Sequence, residues 1–279
     1  MTEVVRTVAE LRDVVSAWHA VGLKVALVPT MGALHDGHVT LVCEGFKHAD
    51  RVVVTIFVNP RQFGANEDLG KYPRTEKLDV EMLRQENVDV IFLPSAQEMY
   101  RENHSTTVHM DGPALAGLED KFRPHFFDGV ATVVAKLFIQ SQADVAMFGE
   151  KDYQQLMVVT QMASDLDIPI RVMGVPTVRD DDGMAKSSRN RYLSKHERHQ
   201  ATAIIRSLEQ AAEKIRHGVD PQTATKAASR SLTTLGFKVD YVSARNATTL
   251  AVPKMRGEPL RILAAAWLGT TRLIDNIAV

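Results

Sequence analysis

The sequence predicts an α/β protein, a doubly wound parallel sheet followed by a smaller C-terminal α+β domain. Three observations predict it. Short apolar runs alternate with amphipathic helical stretches through the first two thirds of the 279 residues. The polar segment Thr177-Val178-Arg179-Asp180-Asp181-Asp182-Gly183 then interrupts the alternation as a linker or hinge loop would. After it come two helical stretches and a set of strand-like runs.

In chain order, the apolar runs at 25–29, 51–58, 88–93, 143–148 and 170–175 are expected strands, continuous as in sheets covered on both faces. Between them, 4–21, 39–49, 75–86, 129–139 and 153–166 place apolar side chains at three-and-four spacing, the mark of amphipathic helices. Beyond residue 176, helices at 195–217 and 221–235 precede strands at 237–243 and 260–265 and a short ending at 273–279. The expected division is therefore 1–176 and 177–279, with a hinge near 176–185. Neither an internal repeat nor a low-complexity tract occurs, which removes solenoid and disordered readings.

With 45% hydrophobic residues the chain has enough to bury a core. Lys and Arg (33) nearly balance Asp and Glu (34), so no excess of one sign points to nucleic acid or an acidic membrane; a small-molecule partner is expected. The single cysteine, Cys43, cannot form an internal disulfide and is expected to be a buried thiol. No secretion signal is evident at the start, and no apolar run approaches the ~18 residues needed to span a bilayer. A cytoplasmic location is expected.

Chemistry concentrates at strand ends. Pro29-Thr30-Met31-Gly32-Ala33-Leu34-His35-Asp36-Gly37-His38 joins the first buried strand to a helix, a place where free backbone N–H groups and a positive dipole end suit a phosphate. His38-Val39 stands where a Walker loop has Lys and a hydroxyl residue, so that class of NTPase is not indicated. His35 and His38 share a face if the helix has begun, and both can donate to one triphosphate. The alternatives are a metal pair or two solvated histidines; zinc would need further ligands at motif spacing, which are absent. Phe148-Gly149-Glu150-Lys151-Asp152-Tyr153-Gln154-Gln155 lies at a second strand-to-helix junction, where Lys151 can reach phosphates, Asp152 a ribose or amine, and Gln155 a polar ligand group. An ordinary charged helix start is the competing reading. Lys186-Ser187-Ser188-Arg189-Asn190, after the acidic segment, matches a mobile polyphosphate loop or a solvated turn. In Val58-Asn59-Pro60-Arg61-Gln62-Phe63-Gly64, Asn59 and Gln62 are candidates to read a hydroxy acid's polar groups.

Together with Tyr72-Pro73-Arg74-Thr75, Gly174-Val175-Pro176 and Arg272-Leu273-Ile274-Asp275-Asn276, these segments resemble the pantothenate synthetases (pantoate–beta-alanine ligases) over nearly the whole chain. That family lies in the nucleotidylyltransferase superfamily, with a Rossmann-like fold related to class I aminoacyl-tRNA synthetases. The resemblance implies that pantoate attacks the ATP α-phosphate, pyrophosphate leaves, and β-alanine then displaces AMP from the pantoyl-adenylate. It also implies Mg²⁺ with ATP and a homodimer. By the same resemblance Met31, Gly32, Ala33, Leu34, His35, Asp36, Gly37 and His38 form the ATP loop, with His38 as proton donor and His35 on the phosphates. Gly149, Glu150, Lys151, Asp152, Val178, Lys186, Ser187, Ser188 and Arg189 take the remaining nucleotide contacts, His35, Lys151 and Arg189 joining His38 as catalytic groups. Gln62 and Gln155 bind pantoate. Asp79, on the helix after Thr75, is a candidate Mg²⁺ ligand and equally a solvated helix carboxylate.

Three places depart from the family pattern. Arg123-Pro124-His125-Phe126-Phe127 replaces Arg-Pro-Gly-His-Phe, Lys186 replaces Met or Leu, and Arg61 replaces an uncharged residue. Two other readings stay open: a relative that transfers AMP to a phosphorylated substrate or adenylates a different small carboxylate, and, through Phe126 and Lys186, a non-catalytic nucleotide-binding protein.

Overall fold

The computed structural model describes residues 2–64, 67–255 and 257–279. The chain forms two compact units, Met1–Asp111 with Arg123–Glu150 and Val158–Pro176, and Gly112–Phe122 with Lys151–Met157 and Thr177–Val279.

In chain order the elements are β1 (Glu3–Val5), α1 (Val8–Ala20), β2 (Val25–Thr30), α2 (Asp36–His48), β3 (Arg51–Ile56), α3 (Glu76–Gln85), β4 (Val90–Phe92), α4 (Ala96–Met99), α5 (Glu119–Phe122), α6 (Phe126–Ser141), β5 (Val145–Gly149), α7 (Tyr153–Asp165) and β6 (Arg171–Val175). The remainder are α8 (Lys195–Ala201), α9 (Ala203–Arg216), α10 (Pro221–Thr234), β7 (Lys238–Asn246), β8 (Leu260–Leu268) and β9 (Thr271–Ala278).

The first unit is built on a six-stranded parallel sheet of order β1-β4-β3-β2-β5-β6. Ala26, Val28, Val52, Val54, Val145 and Met147 turn to the face that packs with Leu41 and Val42 of α2 and Leu83 of α3. The alternate residues Leu27, Val53 and Ala146 are also fully buried, so both faces are covered and the strands need apolar side chains throughout. The five strands expected in this region are present with ends displaced by two residues or fewer. The sixth, β1, overlaps the start of a stretch expected to be helical. Its three residues are too few to show a period of two, and pairing with β4 holds them extended until Thr7 caps α1.

Strand order reverses between β2 and β5, which pair through Ala26 with Val145 and Leu27 with Ala146. Carboxyl ends of strands flanking such a switch point are where open α/β sheets bind ligands. The segments after β2, β3 and β5 all leave from that edge.

In the second unit β7, β8 and β9 form an antiparallel sheet. Its core joins Ile262, Ala264 and Ala266 of β8 to Leu208 of α9 and Leu232 of α10. The helix expected over 195–217 is two helices, broken at Thr202, whose side chain is buried and donates to the His199 carbonyl (2.9 Å). Cys43 is exposed. Leu41, Val42 and Gly45 are the buried positions of α2, and at about 100° per residue position 43 turns off that face.

Candidate functional site

The loop after β2 is tightly determined. Thr30 Oγ1 donates to the Thr55 carbonyl (2.7 Å) and accepts the Gly32 N–H (3.2 Å). Gly32 sits at φ +78°, and a Cβ there would lie 3.1 Å from both Asp79 Oδ2 and Ile56 Cγ2, so conformation and space both call for glycine. The N–H groups of Ala33 and Leu34 donate to Asp79 Oδ2 and Oδ1 (3.0 and 2.9 Å). His35 N–H donates to His38 Nδ1 (3.2 Å), and Gly37 N–H donates to His35 Nδ1 (3.1 Å), with the two rings 4.1 Å apart at their centroids. Because each Nδ1 accepts, these partners assign the ring hydrogen to Nε2 in both histidines.

That arrangement corrects one expectation. The loop does not present a row of unpaired amides as a P-loop does. The N–H groups of residues 32, 33, 34, 35 and 37 are bound by Thr30, Asp79 and the two imidazoles, and that of His38 by the His35 carbonyl (2.7 Å). A buried carboxylate and two ring nitrogens supply acceptors that strand-loop-helix reasoning does not include. Met31 is half-buried and Asp36 lies in the first turn of α2.

After β3, Asn59 is 1% exposed and its amide is engaged inside the protein. Nδ2 donates to the Gly129 carbonyl (3.1 Å), while Oδ1 accepts from Arg61 N–H (3.2 Å) and the Tyr100 hydroxyl (2.9 Å). Burial pushes the Tyr100 hydroxyl up to about 12, against the opposing influence of Arg61 and the Asn59 hydrogen bond. Asn59 therefore holds the turn that carries Gln62. A Cβ on Gly129 would lie 2.1 Å from the Arg61 carbonyl oxygen, so this turn fits against α6 only at a glycine. Gln62 is buried, the Arg123 guanidinium donates to its carbonyl (3.0 Å), and its side-chain amide has no partner among the described residues. The added Arg61 lies over the Tyr100 ring (4.8 Å) and donates to Thr107 Oγ1 (3.3 Å). Burial, and then the charges of Arg101 and Arg61, lower the Lys136 ammonium pKa nearby.

Gly149 ends β5 and Glu150 opens a 3-10 turn, both in the first unit; Lys151–Met157 belong to the second. Lys151 Nζ stands 3.6 Å from Asp152 Oδ2, and Asn276 Nδ2 donates to the Lys151 carbonyl (2.9 Å). Adjacent glutamines divide in role. Gln154 is buried, donating to the Pro113 carbonyl (2.8 Å) and Asp120 Oδ1 (3.0 Å) and accepting the Glu119 N–H (2.9 Å), whereas the half-buried Gln155 has no side-chain partner among the described residues.

Residues 177–183, expected as a linker, form part of a small hairpin. Arg179 bridges to Ala185, the Lys186 N–H donates to the Val178 carbonyl (2.9 Å), and the Asp180 N–H to the Met184 carbonyl (2.9 Å). Its acidic run is matched by cations. Arg198 binds Asp180 (2.9 Å) and Asp182 (2.7 Å), holding the Asp182 carboxyl below its ordinary range, and Lys186 lies 3.5 Å from Asp180. Ser187 Oγ accepts the Arg189 N–H (3.3 Å), opening the turn that carries Ser188 and Arg189. In β9, Asp275 receives Arg179 through two bonds (2.8 and 2.9 Å), so Asp275 and Asn276 hold the hairpin and the Lys151 backbone.

The sequence matches the family described as Pantoate-beta-alanine ligase over residues 3–278. The chain belongs to the pantoate–beta-alanine ligase family. It is 56% identical to a pantothenate synthetase of a Bradyrhizobium species over 99% of this chain and 98% of the relative. The crystal structure of pantothenate synthetase from Thermus thermophilus is similar with a TM-score of 0.91 at 42% identity, covering 99% of this chain and 98% of that one. Pantoate-beta-alanine ligase from Francisella tularensis, complexed with beta-gamma ATP and beta-alanine, gives a TM-score of 0.84 at 30% identity, over 100% and 98%.

Against the pantoate–beta-alanine ligase pattern, the 123–127 departure has a local structural explanation. His125, in the glycine's place, keeps a glycine-like φ of +66°, and its ring is 90% exposed, 4.0 Å from Asp128. Phe126, in the histidine's place, lies 3.6 Å under the Arg123 guanidinium, which is bonded twice to Glu67 (2.7 Å each). Asp79 does not fit a Mg²⁺ ligand, since both oxygens accept backbone N–H groups and the Thr75 hydroxyl (3.1 Å to each). Among the described residues no group of three or more His, Cys, Asp or Glu is placed to hold a metal ion. Sequence reasoning missed Thr75, Asp275 and Asn276 as supports. Their signal was present in the family-like segments holding them, but a contact partner is invisible in a motif.

Proposed function

We propose that the chain condenses (R)-pantoate with β-alanine at the expense of ATP. A pantoate carboxylate oxygen attacks the α-phosphorus and the bond to pyrophosphate breaks. The β-alanine amine then attacks the acyl carbon, loses a proton and releases AMP. Family membership supports this reaction, as does the Francisella ligase being complexed with beta-gamma ATP and beta-alanine. The observation that carries the residue assignment is the pairing of His35 and His38, each held on Nδ1 so that Nε2–H is the ring donor.

In this reading His38 donates from Nε2 to oxygen charge developing on the phosphates, and His35 steadies the same anion. Lys151 and Arg189 neutralise phosphate charge, with Gly149, Glu150, Asp152, Val178, Lys186, Ser187 and Ser188 as further nucleotide contacts. Gln62 and Gln155, whose amides have no partner among the described residues, bind pantoate. Mg²⁺ enters with ATP, on the nucleotide's own phosphates, as such ions commonly do. A homodimer is the assembly implied by the family resemblance; sedimentation at the mass of a single chain would refute it.

The test is direct. Incubation with ATP, pantoate and β-alanine is expected to yield pantothenate, AMP and pyrophosphate, and pantoate alone is expected to support exchange of labelled pyrophosphate into ATP. Exchange with a different acid and none with pantoate would reassign the substrate.

A further inference from the structure

We infer that Asp79 is a positioning residue for adenylation, a clamp that sets the conformation of the 32–38 loop and through it the histidine tautomers; this rests on the function proposed above. Asp79 is 2% exposed and lies on α3, anchored one turn later by the fully buried Leu83. Its Oδ2 accepts the Ala33 N–H and its Oδ1 the Leu34 N–H, while Thr75 Oγ1 donates to both oxygens and so fixes the plane of the carboxylate. Three donors satisfy a buried charge that would otherwise be costly. Ala33 is held at φ +51° next to Gly32 at +78°, a pair that an unbound chain samples rarely. The segment reaches His35 one residue later, where the His35 N–H meets His38 Nδ1 and the Gly37 N–H meets His35 Nδ1. Without the clamp, the amides that direct each Nδ1 to accept lose their fixed positions, and the Nε2–H tautomer is no longer imposed.

Asp79→Asn keeps the shape but turns an NH₂ toward one amide. It is expected to lower the rate of pantoate-dependent ATP–pyrophosphate exchange about 10- to 100-fold with the pantoate KM unchanged, as the loss of a charge-assisted acceptor at a reacting site implies. The Mg²⁺ concentration for half-maximal rate is expected to stay that of the wild type. In ¹⁵N spectra the Ala33 and Leu34 amide protons should move upfield, and the His35 and His38 ring nitrogens should shift from the Nε2–H pattern toward a tautomer mixture. Should Asp79→Asn not fold, Thr75→Val, which removes one donor and leaves the carboxylate, is expected to give the same spectral changes with about a threefold loss of rate. A folded variant with wild-type exchange and unchanged ring nitrogens overturns the clamp, as does a raised Mg²⁺ requirement with activity restored by excess Mg²⁺, which would make Asp79 a metal ligand. Wild-type protein that shows no exchange overturns the proposed reaction alone, because the amide and ring-nitrogen shifts still report on the clamp.

Discussion

Neighbouring side chains of similar type play opposite roles here, and the difference is whether their polar atoms are already satisfied. Asn59 and Gln154 are buried with bonded amides, whereas Gln62 and Gln155 have no side-chain partner among the described residues. Replacing Gln62 by Ala is therefore expected to weaken pantoate binding about tenfold, the worth of one good hydrogen bond, without lowering the melting temperature; calorimetric titration showing wild-type pantoate affinity would remove Gln62 from the pantoate contacts. His38→Ala is expected to slow adenylation about 10²-fold or more, the usual cost of a lost transition-state donor, with an unchanged circular dichroism spectrum. A separate titration tests a more peripheral histidine. The Asp128 hydrogen bond (3.0 and 3.1 Å) and then its charge raise the His109 imidazole pKa above the ordinary value. That interaction stabilises the fold fully below the imidazole's unfolded pKa and is lost as pH rises through the higher folded one. Asp128→Asn should accordingly lower the His109 midpoint seen by NMR, and a midpoint that does not move would disprove the pairing.

At the scale of elements, one tight junction fixes the turn after β3. Gly129 allows α6 to pass the Arg61 carbonyl, and Gly129→Ala is expected to destabilise the protein by about 3 kcal/mol or more through overpacking against backbone; an unaltered denaturation midpoint would contradict that fit. The opposite outcome is expected where α6 begins. His125 holds a positive φ with its ring in solvent, so His125→Gly should stabilise by about 1 kcal/mol, read as a higher melting temperature. Strand positions in the first unit were legible because a sheet covered on both faces needs continuous apolar runs. The capping of α1 by Thr7 and the break at Thr202 were not, since side-chain bonds to backbone leave no periodic trace.

For the molecule as a whole, the family and its sheet-plus-helix architecture were readable from several motifs in a fixed order, and the same order places the turns after β2, β3 and β5 at one sheet edge. Which side chains support those turns was not readable, because support comes from residues distant in sequence: Asp79 under Ala33 and Leu34, Asn276 on Lys151, Asp275 on Arg179. The sorting of segments 112–122 and 151–157 with the C-terminal unit is of the same kind. Glu119 there accepts two bonds from Arg272 (2.7 and 2.8 Å) and one from the Tyr241 hydroxyl (2.8 Å). Burial alone would lower the Arg272 pKa, yet Glu119 and Asp240 raise it on balance. Glu119→Ala leaves that guanidinium short of a partner and is expected to cost about 3–5 kcal/mol; a variant melting like the wild type would show the pair to be dispensable. Local chemistry and hydrophobic period, which are properties of neighbouring residues, thus determined all strands of the first unit but β1, most helices and the candidate reacting groups. Tertiary structure alone decided which polar side chains, such as Asn59, Asp79 and Gln154, are held by partners distant in sequence, because a buried polar atom is paired by whatever the fold brings to it.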